Sequence, residues 1–330
     1  MAGTSADTIK DVNTRYHDVA AADYDAKWGI SYEPHGQAQV TGKLAKALGG
    51  RVGRYERALE IGAGTGYFSL NLRRAGVVEN AVATDISQGM LDALSESARE
   101  LEVASRVSTV RTDAERLPFP DDSFELVFGH AILHHLPDLE ASFHEFRRVL
   151  KPGGMLAFAG EPSRYGDRLA AWPKRAALAV SPAWRRLVGA GRRIGFDDPA
   201  EEREHALEHV VDVHAFTPGE LGTLARGAGF ENVRVSGEEL VAGWFGWANR
   251  TLESTAEIRQ VPQLWFQYAY HGYRALKAVD ERLLEPRLPP AIFYNLLVSA
   301  RAPESGGRAG GRRVNGAAVN GRTHPAAAAR

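Results

Sequence analysis

The stretch Ala58-Leu-Glu-Ile-Gly-Ala-Gly-Thr-Gly66 decides the fold of this 330-residue chain. A short β-rich run ends in Gly62, Gly64 and Gly66, and residues at helical spacing follow from Phe68. Glycine lets the backbone turn sharply and approach a ligand without a clash at Cβ. The N-terminus of the following helix offers unpaired N–H groups to an anionic group. The pattern predicts a strand, a ligand-binding turn and a helix.

Beyond this turn, β-rich runs alternate with helical runs, which predicts a parallel sheet covered by helices on both faces. The predicted strands cover 57–61, 81–86, 107–112, 125–129 and 155–159, and two late strands cover 233–236 and 295–300. The predicted helices between them cover 68–75, 90–101, 139–150 and 218–228. Two long segments, 161–216 and 240–293, interrupt the alternation and are mainly helical in pattern.

The charge beside the turn indicates which nucleotide it would bind. The dinucleotide fingerprint is G-x-G-x-x-G, whereas Tyr67 stands here where the third glycine would fall. Glu60 ends the strand, and a buried carboxylate repels a pyrophosphate but favours the sulfonium and amino groups of S-adenosylmethionine. This opposition of charge disfavours an NAD(P) oxidoreductase and favours a methyl donor.

Acidic residues after the next two strands extend the predicted cofactor site. Asp85 can accept hydrogen bonds from both ribose hydroxyls, although an aspartate there could instead cap the following helix. Ile86 and Met90 would then flank the adenine as apolar walls. Asp113 could accept a hydrogen bond from the adenine amino group, with Ala114 supplying backbone, or could serve only the turn.

Taken together, these motifs resemble the class I S-adenosylmethionine-dependent methyltransferases, specifically the small-molecule group called type 11, or UbiE-like. The resemblance rests on ALEIGAGTG, ATDIS, DAERLPFPDDSFELVFGHAILHHL and RRVLKPGG, and it covers about residues 55–160. It implies an α/β fold with a Rossmann-like seven-stranded sheet, an antiparallel last strand and helical cap insertions. It also implies cofactor contacts from Glu60, Gly62, Gly64, Gly66, Asp85, Asp113, Ala114 and the backbone of His130.

The resemblance also suggests how the chain is divided. Residues 1–39 form a helical segment that covers the cofactor, 40–160 the cofactor-binding core, and 161–216 a helical cap insertion. Residues 217–302 complete the core around a second insertion at 240–293, and 303–330 form a disordered tail of low apolar content. In the first segment, Tyr24 is a candidate cofactor contact and Trp28 a candidate substrate contact, unless both only dock the helix.

Candidate catalytic residues follow the fourth and fifth strands, at the carboxyl edge where open α/β sheets bind ligands. His135 could accept a proton from the acceptor, and His134 could contact the acceptor, although such a pair could also only pack at a helix start. Glu161 could face the pocket and orient the acceptor or Arg164, itself a substrate-contact candidate.

A histidine-rich stretch lies in the first insertion. His205 to His209 match the H-x-x-E-H pattern of inverted zincins. The surrounding glutamates mark this helix as solvated, so we predict no metal site. His214 stays a candidate substrate contact because it leads into the helix that begins at Pro218.

The two insertions should determine the acceptor. The aromatic residues of 240–293 could wall a pocket for a flat or lipophilic acceptor, although aromatics at helical spacing are more often core. Residues 168–196 carry arginines and lysines, tryptophans and no acid. This pattern allows weak contact with an anionic membrane. The alternative, which we favour, is that this stretch pairs with the acidic residues of 197–212 as a solvated lid.

Composition excludes several classes of partner. The chain has 40 Lys plus Arg against 41 Asp plus Glu, so no global field favours nucleic acid. It has no cysteine, which excludes disulfides and a thiol nucleophile and fits a cytoplasmic location. No apolar run approaches the roughly 18 residues of a membrane span, and the first residues lack the apolar core of a signal peptide.

We therefore expect a cytoplasmic S-adenosylmethionine-dependent methyltransferase that acts on a small, lipophilic or aromatic acceptor. Two alternatives stay open: a quinone or polyprenyl-lipid methyltransferase at the membrane surface, and a non-catalytic binding protein that kept the nucleotide fold. Glu60, Asp85 and the three glycines of the turn argue against the binding protein. The identity of the methylated atom and the oligomeric state do not follow from the sequence.

Overall fold

One mixed sheet organises the computed structural model, which describes residues 6, 9–14, 31–193 and 214–304. Its strands are Tyr55–Ile61 (β1), Val78–Asp85 (β2), Val107–Arg111 (β3), Phe124–His130 (β4), Leu150–Pro162 (β5), Glu231–Glu238 (β6) and Asn295–Arg301 (β7). Their order is β3-β2-β1-β4-β5-β7-β6. Strands β1 to β5 are parallel, and β7 is antiparallel to both β5 and β6. The predicted seven-stranded α/β sheet is confirmed.

Helices cover both faces of the sheet. The first face carries Pro34–Leu48 (α1), Tyr67–Arg74 (α2) and Gln88–Glu100 (α3), whose apolar residues pack with Ala58, Ala81 and Ala83. The second face carries Leu139–Val149 (α4) and Pro218–Gly227 (α6). The helix that lies between them in the chain, Arg164–Val188 (α5), belongs to the cap. Because both faces are buried, the central strands are apolar along most of their length.

Three further helices form the cap. They are Arg164–Val188 (α5), Val241–Ser254 (α7) and Gln263–Val279 (α8). They share a small core of their own, built around Trp184, Leu252 and Val261. The described parts of the two insertions are therefore mainly helical, as predicted.

Side-chain caps set where the helices begin. Ser87 accepts a hydrogen bond from the backbone N–H of Met90 at the start of α3, and Asp138 accepts one from Ala141 at the start of α4. Thr217 and Glu220 form a reciprocal capping box at α6. Such caps satisfy backbone N–H groups that have no partner inside the helix.

Two of the predicted boundaries are moved by the structure. A division at 39/40 falls inside α1, which runs unbroken from Pro34 to Leu48. A division at 160/161 falls inside β5, which continues to Pro162 because it pairs with Asn295 of β7. The acidic stretch 197–212, the tail from 305, Tyr24 and Trp28 lie outside the described residues.

Helix α5 continues through two prolines, Pro173 and Pro182. Proline lacks an N–H, so Pro182 cannot bond the carbonyl of Leu178 four residues earlier. The hydroxyl of Ser181 donates to that carbonyl instead, at 2.9 Å. A side chain thus replaces the missing backbone bond and lets a 25-residue helix form.

Candidate cofactor and acceptor site

The glycine-rich turn joins β1 to α2 at the carboxyl edge of the sheet. Gly62, Gly64 and Gly66 all have positive φ, of 63°, 52° and 91°. A Cβ at Gly62 would lie 2.4 Å from Ile132, and one at Gly66 would lie 2.6 Å from Leu94, whereas one at Gly64 would meet nothing within 4 Å. Packing therefore requires glycine at the first and third positions, while Gly64 leaves open the space where a ligand would approach.

Glu60 lies beneath this turn and is 3% exposed. Its carboxylate accepts a hydrogen bond from the backbone N–H of Ser69 in α2, at 3.0 Å. Burial raises the pKa of Glu60 to about 8, against the lowering effect of Ser69 and with a smaller contribution from the charge of Asp85. A cation bound above the turn would favour the ionised carboxylate.

Asp85 ends β2 beside the turn. Its Oδ2 accepts from the backbone N–H of Gly64 and its Oδ1 from that of Ser87, both at 2.9 Å. The helix cap of α3 is Ser87, so the capping alternative for Asp85 is wrong. Each carboxylate oxygen can accept two hydrogen bonds, and the half-buried side chain therefore fits a ribose contact while holding the turn.

The predicted adenine walls differ in what they can offer. Met90 is 1% exposed and packs as core, because α3 turns it toward the sheet. Ile86 is half-buried and Ala114 is 8% exposed. Of the two predicted walls, Ile86 is therefore the one that has surface for an adenine ring.

Asp113 has a partner that its sequence context did not suggest. Lys10, in the helical segment 9–14, places its Nζ 2.6 Å from Asp113 and 2.5 Å from Glu115. Ile9 and Asn13, on the same face of that segment, are 6% and 5% exposed. The N-terminal segment is thus fastened to the loop that was predicted to hold the adenine.

His130 ends β4, where its backbone was predicted to approach the cofactor's amino group. Its ring stacks on Phe68 at 4.8 Å between centroids and lies against Gly160, where a Cβ would come within 2.7 Å of Nε2. Burial, followed by the charge of Lys43, lowers the pKa of His130 to about 3. The imidazole is therefore neutral, and its tight packing fixes the end of β4.

Glu161 does not face the pocket as predicted. The side chain is completely buried, and its carboxylate accepts hydrogen bonds from the backbone N–H groups of Ile132, Leu133 and His134, at 3.0 to 3.2 Å. It also lies 2.8 Å from Nδ1 of His134. It does not orient Arg164, whose guanidinium bonds Glu220 and a backbone carbonyl. Three adjacent backbone donors outcompete a distant arginine for this carboxylate.

The remaining predicted residues divide between two places. His135 is half-buried and lies against His134 in the turn after β4, with the two rings tilted by 45° and their centroids 4.0 Å apart. Arg164 and His214 line an open groove of about 590 Å³ with Phe216. His214 forms a hydrogen bond with the carbonyl of Leu136, so this groove lies next to the turn that follows β4.

A charged network near the end of β6 was missed by the sequence analysis. Lys43 of α1 lies 2.6 Å from Glu238, and the hydroxyl of Tyr273 donates to Glu239 at 2.7 Å. Lys277 lies 3.8 Å from Glu239. The sequence offered one signal for this network, because acids at the carboxyl end of a strand are candidate site residues. The predicted strand ended at 236, two residues before the end of β6, so Glu238 and Glu239 were not recognised as lying there.

The cap aromatics serve both of the roles that the sequence left open. Trp184 and Trp265 meet edge to face inside the cap core, with 5.0 Å between ring centroids. Trp247 instead lies 5.4 Å from Tyr294 at the start of β7, with Nζ of Lys174 4.0 Å above the Trp247 ring. The first pair is core, and the second lies where the cap meets the sheet.

The described part of the chain shows neither a membrane-spanning helix nor a metal-binding cluster. No helix there is long and apolar enough to cross a membrane. The described residues also hold no group of three or more His, Cys, Asp or Glu arranged to bind a metal ion. The H-x-x-E-H stretch at 205–209 lies outside them.

Comparison with known families fits this geometry. Residues 59–158 match the family model described as a methyltransferase domain. The matched segment runs from β1 into β5 and contains the glycine-rich turn, Asp85 and Asp113. This segment is a methyltransferase domain. In this segment, Glu60 and Asp85 lie at the ends of β1 and β2, and Asp113 follows β3, so all three acids are at the same edge of the sheet.

A curated relative of the methyltransferase domain is 27-O-demethylrifamycin SV methyltransferase of Amycolatopsis mediterranei (strain S699). It is 34% identical over 184 residues, which are 54% of this chain and 64% of the relative. The chain therefore matches somewhat less than two thirds of that protein's length. Similarity of this extent supports the domain and leaves the acceptor to be tested.

Two solved structures share the fold around the methyltransferase domain. Haemonchus contortus phosphoethanolamine N-methyltransferase 2, in complex with S-adenosyl-L-methionine, aligns with a TM-score of 0.55 at 17% identity, covering 92% of this chain and 61% of that one. The [4+2]-cyclase SpnF aligns with a TM-score of 0.54 at 20% identity, covering 92% and 100%. The likeness therefore includes the cap helices as well as the sheet.

The raised pKa of Glu60 predicts a pH dependence for cofactor binding. Below its pKa of about 8 this side chain is protonated in the free protein, and a bound cation favours the carboxylate, so binding releases a proton. Affinity for S-adenosylmethionine should then rise between pH 6 and 8, by at most about tenfold per unit, and level off above 8. Calorimetry measures it, and Glu60→Gln should flatten the profile. An identical slope in the variant would contradict the assignment.

Proposed function

We propose that the chain is a methyltransferase that uses S-adenosylmethionine and acts on a small, lipophilic or aromatic acceptor. The observation that carries the proposal is the glycine-rich turn itself, where Asp85 accepts a hydrogen bond from the N–H of Gly64, Glu60 lies buried at the end of β1, and a Cβ at Gly64 would meet nothing within 4 Å. A deeply placed carboxylate suits a sulfonium and an ammonium, and a carboxylate at the end of β2 suits a ribose. The residues present therefore fit this cofactor.

When bound, S-adenosylmethionine supplies a methyl group that is already activated by the positive sulfur. The protein's part is then mainly alignment of the nucleophile, with a base where the nucleophile carries a proton. Glu60 and the glycine-rich turn would hold the methionine part of the cofactor, Asp85 the ribose, and Asp113 with Ala114 the adenine.

For an acceptor that must lose a proton, we assign the base to the two histidines after β4. The carboxylate of Glu161 lies 2.8 Å from Nδ1 of His134 and fixes the orientation of this ring. His135 lies against the same ring, with 4.0 Å between the ring centroids. Glu161 therefore acts as a positioning residue for His134, and His135 stays the second candidate base.

A non-catalytic or differently reacting protein is the rival proposal. The fold by itself does not decide the chemistry, since the [4+2]-cyclase SpnF shares it. The test is to incubate the protein with methyl-labelled S-adenosylmethionine and a cell extract, and to identify labelled products by mass spectrometry. Calorimetry with S-adenosylhomocysteine runs beside it. Binding without any transfer would favour the rival, and absence of binding at millimolar ligand would contradict both.

We also propose that the protein makes a weak contact with an anionic membrane surface. Helix α5 is the element that favours this contact. Five exposed apolar residues lie within about 80° of its circumference, with exposed fractions of 37% to 84%: Tyr165, Leu169, Trp172, Val180 and Leu187. Arg168, Arg175 and Arg186 form the next row around the helix. An apolar stripe beside a row of arginines suits an anionic lipid surface. We otherwise propose a cytoplasmic protein without a nucleic-acid partner.

Co-sedimentation tests this contact. The wild-type protein should pellet with vesicles that contain phosphatidylglycerol more than with pure phosphatidylcholine, and the excess should fall several-fold in Trp172→Glu and Leu187→Glu. Leu264→Glu is the matched control, because Leu264 is 74% exposed on α8. Equal pelleting with both vesicle types, or equal loss in the control, would remove α5 as a membrane contact. A concentration-dependent dimer would show that a second copy covers the stripe instead.

A further inference from the structure

Glu239 has a strained backbone at the carboxyl end of β6. Its φ is 64°, a left-handed conformation that a glutamate rarely adopts. Strain of this kind persists only where the surrounding structure holds it in place, often at functional sites. Because β6 runs parallel to β5 within the sheet, Glu239 follows the same edge as His130 and Pro162.

The surrounding structure does hold this turn in place. Asp280, completely buried after α8, accepts hydrogen bonds from the backbone N–H groups of Leu240, Val241 and Ala242, at 2.9 to 3.1 Å. The carbonyl of Glu239 accepts from the backbone N–H of Tyr294 at 3.1 Å. Four bonds from two distant segments therefore fix where the side chain of Glu239 projects.

That side chain meets a tyrosine and a lysine from the cap. The hydroxyl of Tyr273 donates to Oε1 of Glu239 at 2.7 Å, and Nζ of Lys277 lies 3.8 Å from the same oxygen. Burial, followed by the charge of Glu239, raises the pKa of Tyr273, so the phenol keeps its hydrogen. With that hydrogen directed at Glu239, the phenol oxygen is left able to accept a hydrogen bond.

Lys43 connects this pair with the cofactor side of the site. Although burial opposes it, the charges of Glu238 and Glu239 raise the pKa of Lys43. The same lysine lowers the pKa of His130 at the end of β4. The ends of β4 and β6 are three strand spacings apart, or about 14 Å. This span suits an acceptor larger than a single ring.

Apolar rings border the space beside Glu239. A Cβ at Gly243 would lie 3.5 Å from Tyr294 and 3.7 Å from Glu239, and one at Gly246 would lie 3.6 Å from Tyr273. Trp247 follows on the same helix, with its ring centroid 5.4 Å from that of Tyr294. The face of α7 that carries these two glycines therefore borders Glu239, Tyr273 and Tyr294 at contact distance.

We propose that Tyr273 and Glu239 form an acceptor-binding pair that takes a hydroxyl group carried on an aromatic or polycyclic ring. The acceptor hydroxyl donates to this pair, and its rings pack against Trp247 and Tyr294. The proposal rests on the proposed function, because it names the acceptor class of the same site. It assigns binding of the acceptor and not proton transfer, since Glu239 lies across the sheet from the glycine-rich turn.

The test uses 1-naphthol as a probe, titrated by fluorescence with and without saturating S-adenosylhomocysteine. The wild-type protein should bind it saturably, and Tyr273→Phe and Glu239→Gln should each weaken binding by about fivefold or more, the loss of one hydrogen bond. Naphthalene, which lacks the hydroxyl, should bind all three proteins alike. Glu281→Gln is the matched control, a neighbouring acid that is 44% exposed and pairs with Lys46 instead.

The readouts separate the two proposals. Calorimetry with S-adenosylhomocysteine reports on the proposed function and should change by less than twofold in both variants. Wild-type affinity for 1-naphthol in Tyr273→Phe, which keeps the ring and its packing, would overturn the assignment. So would absence of 1-naphthol binding by the wild-type protein, whether or not it binds S-adenosylhomocysteine.

Discussion

Replacing Asp85 with alanine is expected to weaken binding of S-adenosylhomocysteine by roughly 100-fold. Two charge-assisted hydrogen bonds to the ribose would be lost, at about 1.5–3 kcal/mol each, and a part of that loss would be offset by water. The variant also frees the backbone N–H of Gly64, which Asp85 holds at 2.9 Å in the wild-type protein. Isothermal calorimetry at constant pH measures the change directly.

The control for this prediction is Asp92→Ala. Asp92 is an exposed residue of α3 whose carboxylate bonds the side chain of Gln88. Its removal should leave ligand affinity within about twofold, because no change reaches the site. Asp85→Asn should show an intermediate loss, since an amide oxygen can accept one of the bonds. Wild-type affinity in Asp85→Ala would exclude Asp85 from the cofactor site.

Replacing Glu161 with alanine is expected to lower the free energy of unfolding by about 3–5 kcal/mol. The change leaves three buried backbone N–H groups and Nδ1 of His134 without their acceptor, and each unsatisfied group costs about 1–3 kcal/mol before relaxation. The turn after β4 would then lose the side chain that fixes it. Urea unfolding followed by far-ultraviolet circular dichroism measures the loss.

A matched variant separates this effect from general loss of a glutamate. Glu96→Ala removes an exposed carboxylate from α3 and should change stability by less than about 0.5 kcal/mol. Glu161→Gln, which keeps the shape and one acceptor, should lose less stability than Glu161→Ala. If Glu161→Ala unfolds at the wild-type urea concentration, the four contacts do not support the turn.

Much of the core could be predicted from local sequence. The glycine-rich turn, the alternation of strands and helices, and the acids after β1, β2 and β3 all have short-range signals, because strand and helix periodicity and glycine conformation depend on neighbours along the chain. The seven-stranded sheet with an antiparallel last strand followed from the family resemblance. The ends of β5 and β6 were placed too early, since polar residues there are buried only by pairing with β7.

The residues that surround the cofactor and acceptor were decided by contacts distant in sequence. Lys10 reaches Asp113 across more than a hundred residues, and Glu161 lies under the turn at His134 instead of facing the pocket. Tyr273 meets Glu239 only because α8 folds back over β6. A charged side chain far along the chain has no periodic pattern that identifies its partner.

By itself, the sequence determined the α/β sheet, the glycine-rich turn and the methyltransferase resemblance, because each depends on the conformational preferences of adjacent residues. Only the tertiary structure decided which carboxylates support backbone N–H groups and which pair with side chains of other elements. That distinction is set by desolvation and by the donors that packing brings near. Glu60, Glu161 and Glu239 all follow or end strands at one edge, yet their roles differ because their three-dimensional neighbours differ.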